Sequence, residues 1–379
     1  MHNSKKLYIS RIKTITLALA TALLALSILV FPSSSSQGAK NGIIFCSQIL
    51  IPSLFPFMVL SSFIVKSGLS AKIGNTLEPV TNLLFRLPGC TAATIVIGLI
   101  GGYPAGARGI KALVEQGNIS QKQGEKMLLF TVGAGPAFVI SVVGAGLLGS
   151  SISGIILFAA QILSSLIIGV FCRNILNCEA KNNVHTKKRP TNTDVASALV
   201  GSCTDSISGM INMSAFVILF SSFLTIIKDS GIGSIVSSCL VSMGVSPATA
   251  NSLLSILLEV TGGCSTAAKF GASAELMAFA IGWAGTCVHF QICSSLNGIS
   301  FSKVRFTIAR FVQGVLAAII SHIGFFLFPQ ASEVFLSTSH TVYAETSSNP
   351  LGCIALLILC VFFLLSVDRK NISYHATRI

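Results

Sequence analysis

A carboxylate and two adjacent glycines interrupt a long apolar stretch of the chain, residues 252–280. The residues of this break are Glu259, Thr261, Gly262 and Gly263. An ionisable group in a membrane segment costs free energy, and membrane proteins retain one mainly where it contacts a partner, a cavity or a substrate. We expect Glu259 to carry a proton for coupled transport or to accept a hydrogen bond from a substrate. The alternative is a structural contact with Thr261 or a backbone amide that holds the local fold.

A second break ends the short apolar run that starts at residue 90. Its residues are Gly101, Gly102, Tyr103 and Pro104. Glycine pairs leave backbone amides unpaired, and the amino terminus of a half-helix attracts anions. Small residues also serve helix packing in membrane bundles, and this alternative has equal weight. Arg108 follows the break and could neutralise an anionic substrate, or it could anchor the chain at the membrane interface.

The remaining candidate site residues lie inside later apolar runs. They are Gly135, Pro136, His289, Gln291 and Arg310. A lone histidine within a membrane often only makes an interhelical hydrogen bond. Arg310 could pair with Glu259 or with a substrate carboxylate. Because it lies close to Arg305, it could instead be a cytoplasmic anchor.

The composition is that of an integral membrane protein. Of the 379 residues, 52% are hydrophobic and 10% are charged, and the mean hydropathy is +0.81. Soluble domains carry about a quarter charged residues. The net charge of +13 comes from basic residues in short loops, which fits the positive-inside rule. We therefore expect a lipid bilayer and no nucleic acid as a partner.

The sequence contains no recognisable catalytic or metal motif. The eleven cysteines are scattered through apolar segments, which is typical of small buried side chains rather than of a disulfide framework or a zinc site. A P-loop, a nucleophile elbow and an HExxH motif are absent. Glu259 and His289 could form an acid–base pair, but no nucleophile accompanies them. We expect no enzymatic activity, no cofactor and no metal.

The positions of Lys and Arg predict that both termini are cytoplasmic. The predicted fold is an all-α polytopic membrane protein with about eight transmembrane helices and two re-entrant or broken helices. An amino-terminal signal anchor and linker cover 1–40, and a first repeat covers 41–177. A cytoplasmic basic loop at 178–193 leads to a second, inverted repeat at 194–328. An external loop, the last transmembrane helix and a cytoplasmic tail fill 329–379.

Local matches between the halves suggest a duplication. Ser61-Ser62-Phe63 resembles Ser221-Ser222-Phe223, and Gly101-Gly102 resembles Gly262-Gly263. The charge distribution requires an odd number of crossings in each half, which makes the halves inverted. We also expect residues 127–149 to form one spanning helix. Inverted repeats with a break at the same place are typical of secondary transporters that bind the substrate between the breaks.

Five motifs carry a resemblance to a known family over nearly the whole chain. They are Pro52-Ser53-Leu54-Phe55-Pro56, Gly102-Tyr103-Pro104-Ala105-Gly106-Ala107, Gly135-Pro136, Glu259-Val260-Thr261-Gly262, and Val288-His289-Phe290-Gln291 followed by Arg310. In these motifs the chain resembles the YlbJ (SpoVV) family of sporulation integral membrane proteins. The resemblance implies a nucleoside recognition, or gate, domain similar to the gating segments of concentrative nucleoside transporters.

The resemblance also implies a location and a substrate. These are the outer forespore membrane of a spore-forming bacterium and dipicolinic acid, passed from the mother cell into the space between the two forespore membranes. Dipicolinate is a small planar dianion, which Arg108 or Arg310 would suit. Two alternatives stay open: a nucleoside-type transporter, and a non-transporting assembly protein of the spore envelope. Besides the anionic substrate, the expected partners are a second copy of the chain or other sporulation membrane proteins.

Overall fold

The computed structural model describes residues 15, 18–19, 21–175 and 194–329. Within these ranges the regular structure is helical and contains no strand, so the all-α prediction is confirmed. The helices of the first half are α1 (Pro32–Phe45), α2 (Ile51–Lys66), α3 (Leu69–Phe85), α4 (Ala92–Ile100), α5 (Tyr103–Glu115), α6 (Gln121–Leu128) and α7 (Ser151–Ile175). This half also contains two π-helical segments, Cys46–Leu50 and Ala137–Leu147, and a 3₁₀ turn at Gly89–Thr91. A short apolar helix, Thr21–Val30, precedes α1.

The second half is built from seven further helices. They are α8 (Val195–Asp229), α9 (Ile232–Ser242), α10 (Pro247–Leu258), α11 (Val260–Lys269), α12 (Ala274–Trp283), α13 (Gly285–Ser295) and α14 (Lys303–Leu327). The predicted basic loop at 178–193, the last transmembrane helix and most of the segment before residue 21 lie outside the described residues.

Five helical stretches of the described chain are long and apolar enough to cross a membrane. They are Pro32–Lys66, Ser151–Arg173, Val195–Asp229, Ala274–Ser295 and Lys303–Leu327. A sixth is obtained if Thr76–Phe85 and Gly89–Ile100, which meet at a 90° bend, form one broken span. Large apolar side chains such as Phe171 and Ile308 are exposed on these helices, as expected for surfaces that face lipid. The predicted total of eight crossings stays a prediction.

The prediction of one spanning helix over residues 127–149 is wrong. Helix α6 ends at Leu128, and the π-helical segment begins only at Ala137. Residues 129–136 between them form no continuous helix. The physical reason is local, because Pro136 lacks a backbone N–H and disfavours the helical conformation of the residue before it.

The two halves contain their elements in the same order. Each begins with a helical stretch of 35 residues, Pro32–Lys66 or Val195–Asp229. Each continues through short helices with two interruptions and ends with a helix of 25 residues, α7 or α14. This order agrees with a duplication. The repeat boundaries at 41–177 and 194–328 and their inverted orientation stay predictions.

Helices of the two halves pack directly against each other. Helices α1 and α2 pack on α8, and α7 packs on α14. The contact between α1 and α8 is close: a Cβ added to Gly38 would lie 2.6 Å from the carbonyl oxygen of Ser221. Small residues allow helix backbones to approach in this way. Residues of both halves can therefore contribute to one site.

Candidate functional site

The residue types at the break after α4 explain why the helix is interrupted there. Gly102 has φ 90°, a conformation that side chains with a Cβ rarely adopt. Pro104 lies in the first turn of α5, where its missing N–H removes no helical hydrogen bond. Both features end one helix and start the next, so the predicted interruption is present.

The second break is centred on Glu259, which lies between α10 and α11 in an extended conformation, φ −150° and ψ 130°. Its side chain is 6% exposed. The carboxylate accepts hydrogen bonds from the backbone N–H of Thr261 (2.9 Å) and Gly262 (2.5 Å). No described basic side chain forms an ion pair with it. Glu259 is thus a buried acid whose carboxyl group caps the first turn of α11.

The irregular segment at 129–136 is held by polar side chains of α7 and α14. Arg310, which is fully buried, donates hydrogen bonds to the carbonyl oxygens of Val132 and Leu129. Gln161 accepts from Ala134 N (2.9 Å) and donates to Ala134 O (3.0 Å). Non-helical backbone inside a membrane protein requires such partners. Gln161 was not predicted, although an isolated glutamine within the apolar α7 is a usable signal.

In each half the two interruptions contact each other. In the first half these are the break at Gly102 and the segment at 129–136, and in the second half they are the break at Glu259 and the junction between α12 and α13. A Cβ on Gly135 would lie 3.6 Å from the backbone nitrogen of Gly102, and a Cβ on Gly285 would lie 2.9 Å from Cα of Glu259. The hydroxyl of Tyr103 donates to the carbonyl oxygen of Ile281 at 2.7 Å. This bond joins the start of α5 to α12 and so links a break of the first half to the second half.

A pocket lies where these segments meet. Six of the predicted site residues line it: Gly102, Tyr103, Gly135, Glu259, Thr261 and Gln291. Apolar side chains form most of the remaining wall, including Phe45, Leu54, Phe138, Met213, Val217 and Val288. Among the described lining residues there is no lysine, arginine or histidine. The pocket therefore combines an apolar wall with one carboxylate and a few neutral polar groups.

The other predicted site residues are not in the lining. They are Gly101, Pro104, Arg108, Pro136, Gly262, Gly263, His289 and Arg310. The hypothesised pair of Arg310 with Glu259 is not formed, because the Arg310 guanidinium bonds to backbone carbonyls and lies over the Phe306 ring, 5.6 Å from its centroid. Its position next to an aromatic face adds a cation–π contact.

Arg108 lies at the contact between α5 and α8. It donates to the backbone carbonyl of Asp205, whose carboxylate forms a 2.6 Å ion pair with Lys66. A Cβ on Gly209 would collide with the Arg108 guanidinium, so this glycine provides the space for it. Arg108 therefore connects the two halves away from the pocket.

His289 donates from Nδ1 to the carbonyl oxygen of Gly285 in its own helix (2.8 Å). Its ring lies 4.6 Å from Trp283 and 5.2 Å from Phe306, between ring centroids. These contacts are those of a packed helix position. The structure does not bring His289 to Glu259 as an acid–base pair.

These features define an integral, multi-pass, all-α membrane protein with a pocket between interrupted segments of its two halves. Residues 48–172 match the family model described as nucleoside recognition (Gate). Over 336 residues the chain is 26% identical to the sporulation integral membrane protein YlbJ of Bacillus subtilis (strain 168), with 82% of each protein covered. Both findings confirm the resemblance that the motifs predicted, and neither match is to an enzyme family. No solved structure matches.

Proposed function

We propose that this chain is a transporter that binds a small planar solute in the pocket between its interrupted segments. One observation carries the proposal: the lining joins Gly102, Tyr103 and Gly135 of the first half to Glu259 and Gln291 of the second. Secondary transporters bind solutes where broken helices of two repeats meet. Ligand pockets typically combine apolar walls with a few polar groups that fix orientation.

The first candidate substrate is dipicolinate, which the resemblance to the sporulation family suggests. The pocket lining has an acid, Glu259, and no basic side chain among its described members. An ionised Glu259 would repel a dianion, because like charges at short range disfavour each other. Dipicolinate would therefore bind together with a proton on Glu259. In this proposal the chain moves the anion with protons across the outer forespore membrane, with both termini in the cytoplasm.

The second candidate is a nucleoside, and the same lining favours it. Glu259, Thr261, Tyr103 and Gln291 offer polar groups without requiring a cation, and such groups suit hydroxyl and base atoms. A nucleoside would bind without taking up a proton for charge balance. Proton dependence therefore separates the two candidates.

The proposal includes no enzymatic activity and no cofactor. A second copy of the chain or another sporulation membrane protein is the proposed protein partner. The rival is an assembly protein of the spore envelope, in which the buried polar contacts serve structure alone. It predicts a folded protein that moves neither solute.

The test is uptake of labelled dipicolinate and labelled uridine into liposomes that contain the purified full chain. We expect saturable dipicolinate uptake that phthalate inhibits, that uridine does not, and that is faster when the source compartment is more acidic. Uridine uptake without dipicolinate uptake would select the nucleoside candidate. No uptake of either, by protein whose folding is verified by thermal unfolding, would reject the transporter proposal in favour of the assembly protein.

A further inference from the structure

Leu54 fills a notch between the two interruptions of the first half. A Cβ on Gly102 would collide with Cδ2 of Leu54, and a Cβ on Gly135 would lie 3.3 Å from the same atom. Contacts of 3.3 Å are tighter than ordinary carbon–carbon packing. The absence of side chains at both glycines therefore makes the space that Leu54 occupies.

The two glycines are required for different reasons. Gly102 has a positive φ that disfavours other residues regardless of space. Gly135 has no such conformation, so its neighbours decide what it can carry. Because Leu54 is one of those neighbours, the fit between Gly135 and Leu54 can be altered from either side.

Leu54 also forms part of the pocket wall. Its side chain is 8% exposed and clusters with Met58 and Met213, of which Met213 also lines the pocket. The isopropyl group thus lies against the backbone of Gly102 and Gly135, which line the same pocket. Removing it would extend the pocket toward that backbone.

The helix that carries Leu54 has unusual local features. Leu54 lies between Pro52 and Pro56 and follows the π-helical segment Cys46–Leu50. Each proline removes a backbone donor, and π-helical turns frequently occur at functional sites. This wall of the pocket is therefore built on a helix whose hydrogen bonding is already interrupted.

We propose that Leu54 determines the size of the solute that the pocket accepts. The inference rests on the proposed function and adds a specificity-determining residue to it. With leucine present, the side chain occupies the space beside Gly102 and Gly135, so we expect a fused bicyclic ring to bind more weakly than a single planar ring. A shorter residue at this position admits the larger ring.

The test compares four solutes: dipicolinate and uridine, each with a bicyclic counterpart, a quinoline dicarboxylate and a purine nucleoside. Binding is measured by ligand-induced thermal stabilisation and by inhibition of uptake. For Leu54→Ala we expect the ratio of bicyclic to monocyclic affinity to rise about tenfold, in line with how strongly apolar pockets discriminate single groups. Leu54→Val, a milder change, should give an intermediate result if the alanine variant folds poorly.

Two matched controls separate selectivity from packing. Leu60→Ala changes the same residue type on the same helix at an exposed position and should alter neither property. Met58→Ala creates a buried cavity outside the lining, and it should lower the melting temperature without changing the order of solute sizes. If Leu54→Ala and Leu54→Val bind the monocyclic and bicyclic solutes in the same order of affinity as the wild type, the inference is overturned and the proposed function stays intact.

A double substitution tests the contact without any transport assay. Gly135→Ala should lower the melting temperature, and the loss should be smaller when Leu54 is already alanine. Strictly additive effects would contradict the contact and with it the size limit. Failure of the wild-type chain to bind any of the four solutes would reject the proposed function and the inference together.

Discussion

The guanidinium of Arg310 donates a hydrogen bond to the carbonyl oxygen of Val132, a residue 178 positions earlier in the chain. A second bond reaches the carbonyl oxygen of Leu129 at 2.6 Å. A helix of the second half thus satisfies the irregular backbone of the first half, next to the pocket wall at Gly135. Arg310 acts on the site by positioning this backbone and is not part of the lining.

Replacing Arg310 by Lys should destabilise the protein despite the retained charge. A lysine ammonium lacks the planar fork that serves two carbonyl oxygens together. A buried carbonyl oxygen that is left without a donor typically costs about 1–3 kcal/mol. Thermal unfolding of the purified protein measures the effect, with Arg305→Lys as the control because the Arg305 side chain is 51% exposed. Unchanged stability together with weakened dipicolinate binding would instead indicate a substrate contact.

Gln161→Leu should also destabilise the fold, because both polar groups of Ala134 lose their bonds to this side chain. Unsatisfied buried groups cost about 1–3 kcal/mol each. Gln161→Glu retains an acceptor for the Ala134 N–H but loses the donor, so the two variants report on different bonds. Gln37→Leu on the exposed face of α1 is the control. Equal melting temperatures for Gln161→Leu and the wild type would contradict the assigned role.

Glu259→Gln should abolish uptake while the protein still folds and inserts. The amide oxygen can still accept from the first turn of α11, so the stability loss should stay near that of a weakened helix cap, about 0.5–2 kcal/mol. The variant cannot take up and release the proton that the proposed cotransport requires. The control is Glu275→Gln, which changes an acid outside the pocket lining that bonds to His322. Full uptake by Glu259→Gln would remove the transport role assigned to this residue.

Arg108→Ala should leave the KM for the transported solute within about threefold of the wild-type value, since binding losses follow from lost contacts with the solute. The variant should be less stable, because Arg108 bonds to the backbone of Asp205 on α8. Gly209→Ala should disturb the same contact, and the double variant Gly209→Ala, Arg108→Ala should be less affected than the sum of the two. A KM more than about tenfold higher in Arg108→Ala would indicate that Arg108 contacts the solute.

The sequence by itself determined the positions of two interruptions, at Gly102 and at Glu259, but not the one at residues 129–136. Gly102 and Pro104 end and restart a helix through backbone conformation, and Glu259 is a polar residue that an apolar helix does not tolerate without partners. These effects act within a few residues of chain. The all-α membrane fold follows equally from composition, because a lipid environment requires backbone hydrogen bonds within each helix.

Only the tertiary structure decided which of the polar residues meet. Arg108 and Arg310 have the charge expected of substrate ligands, yet both bond to backbone carbonyls outside the pocket lining. Leu54 reads as an ordinary apolar residue, but it fills the space between Gly102 and Gly135. Such contacts join residues far apart in sequence, and they depend on how the helices of the two halves pack. No periodicity or local motif carries that information.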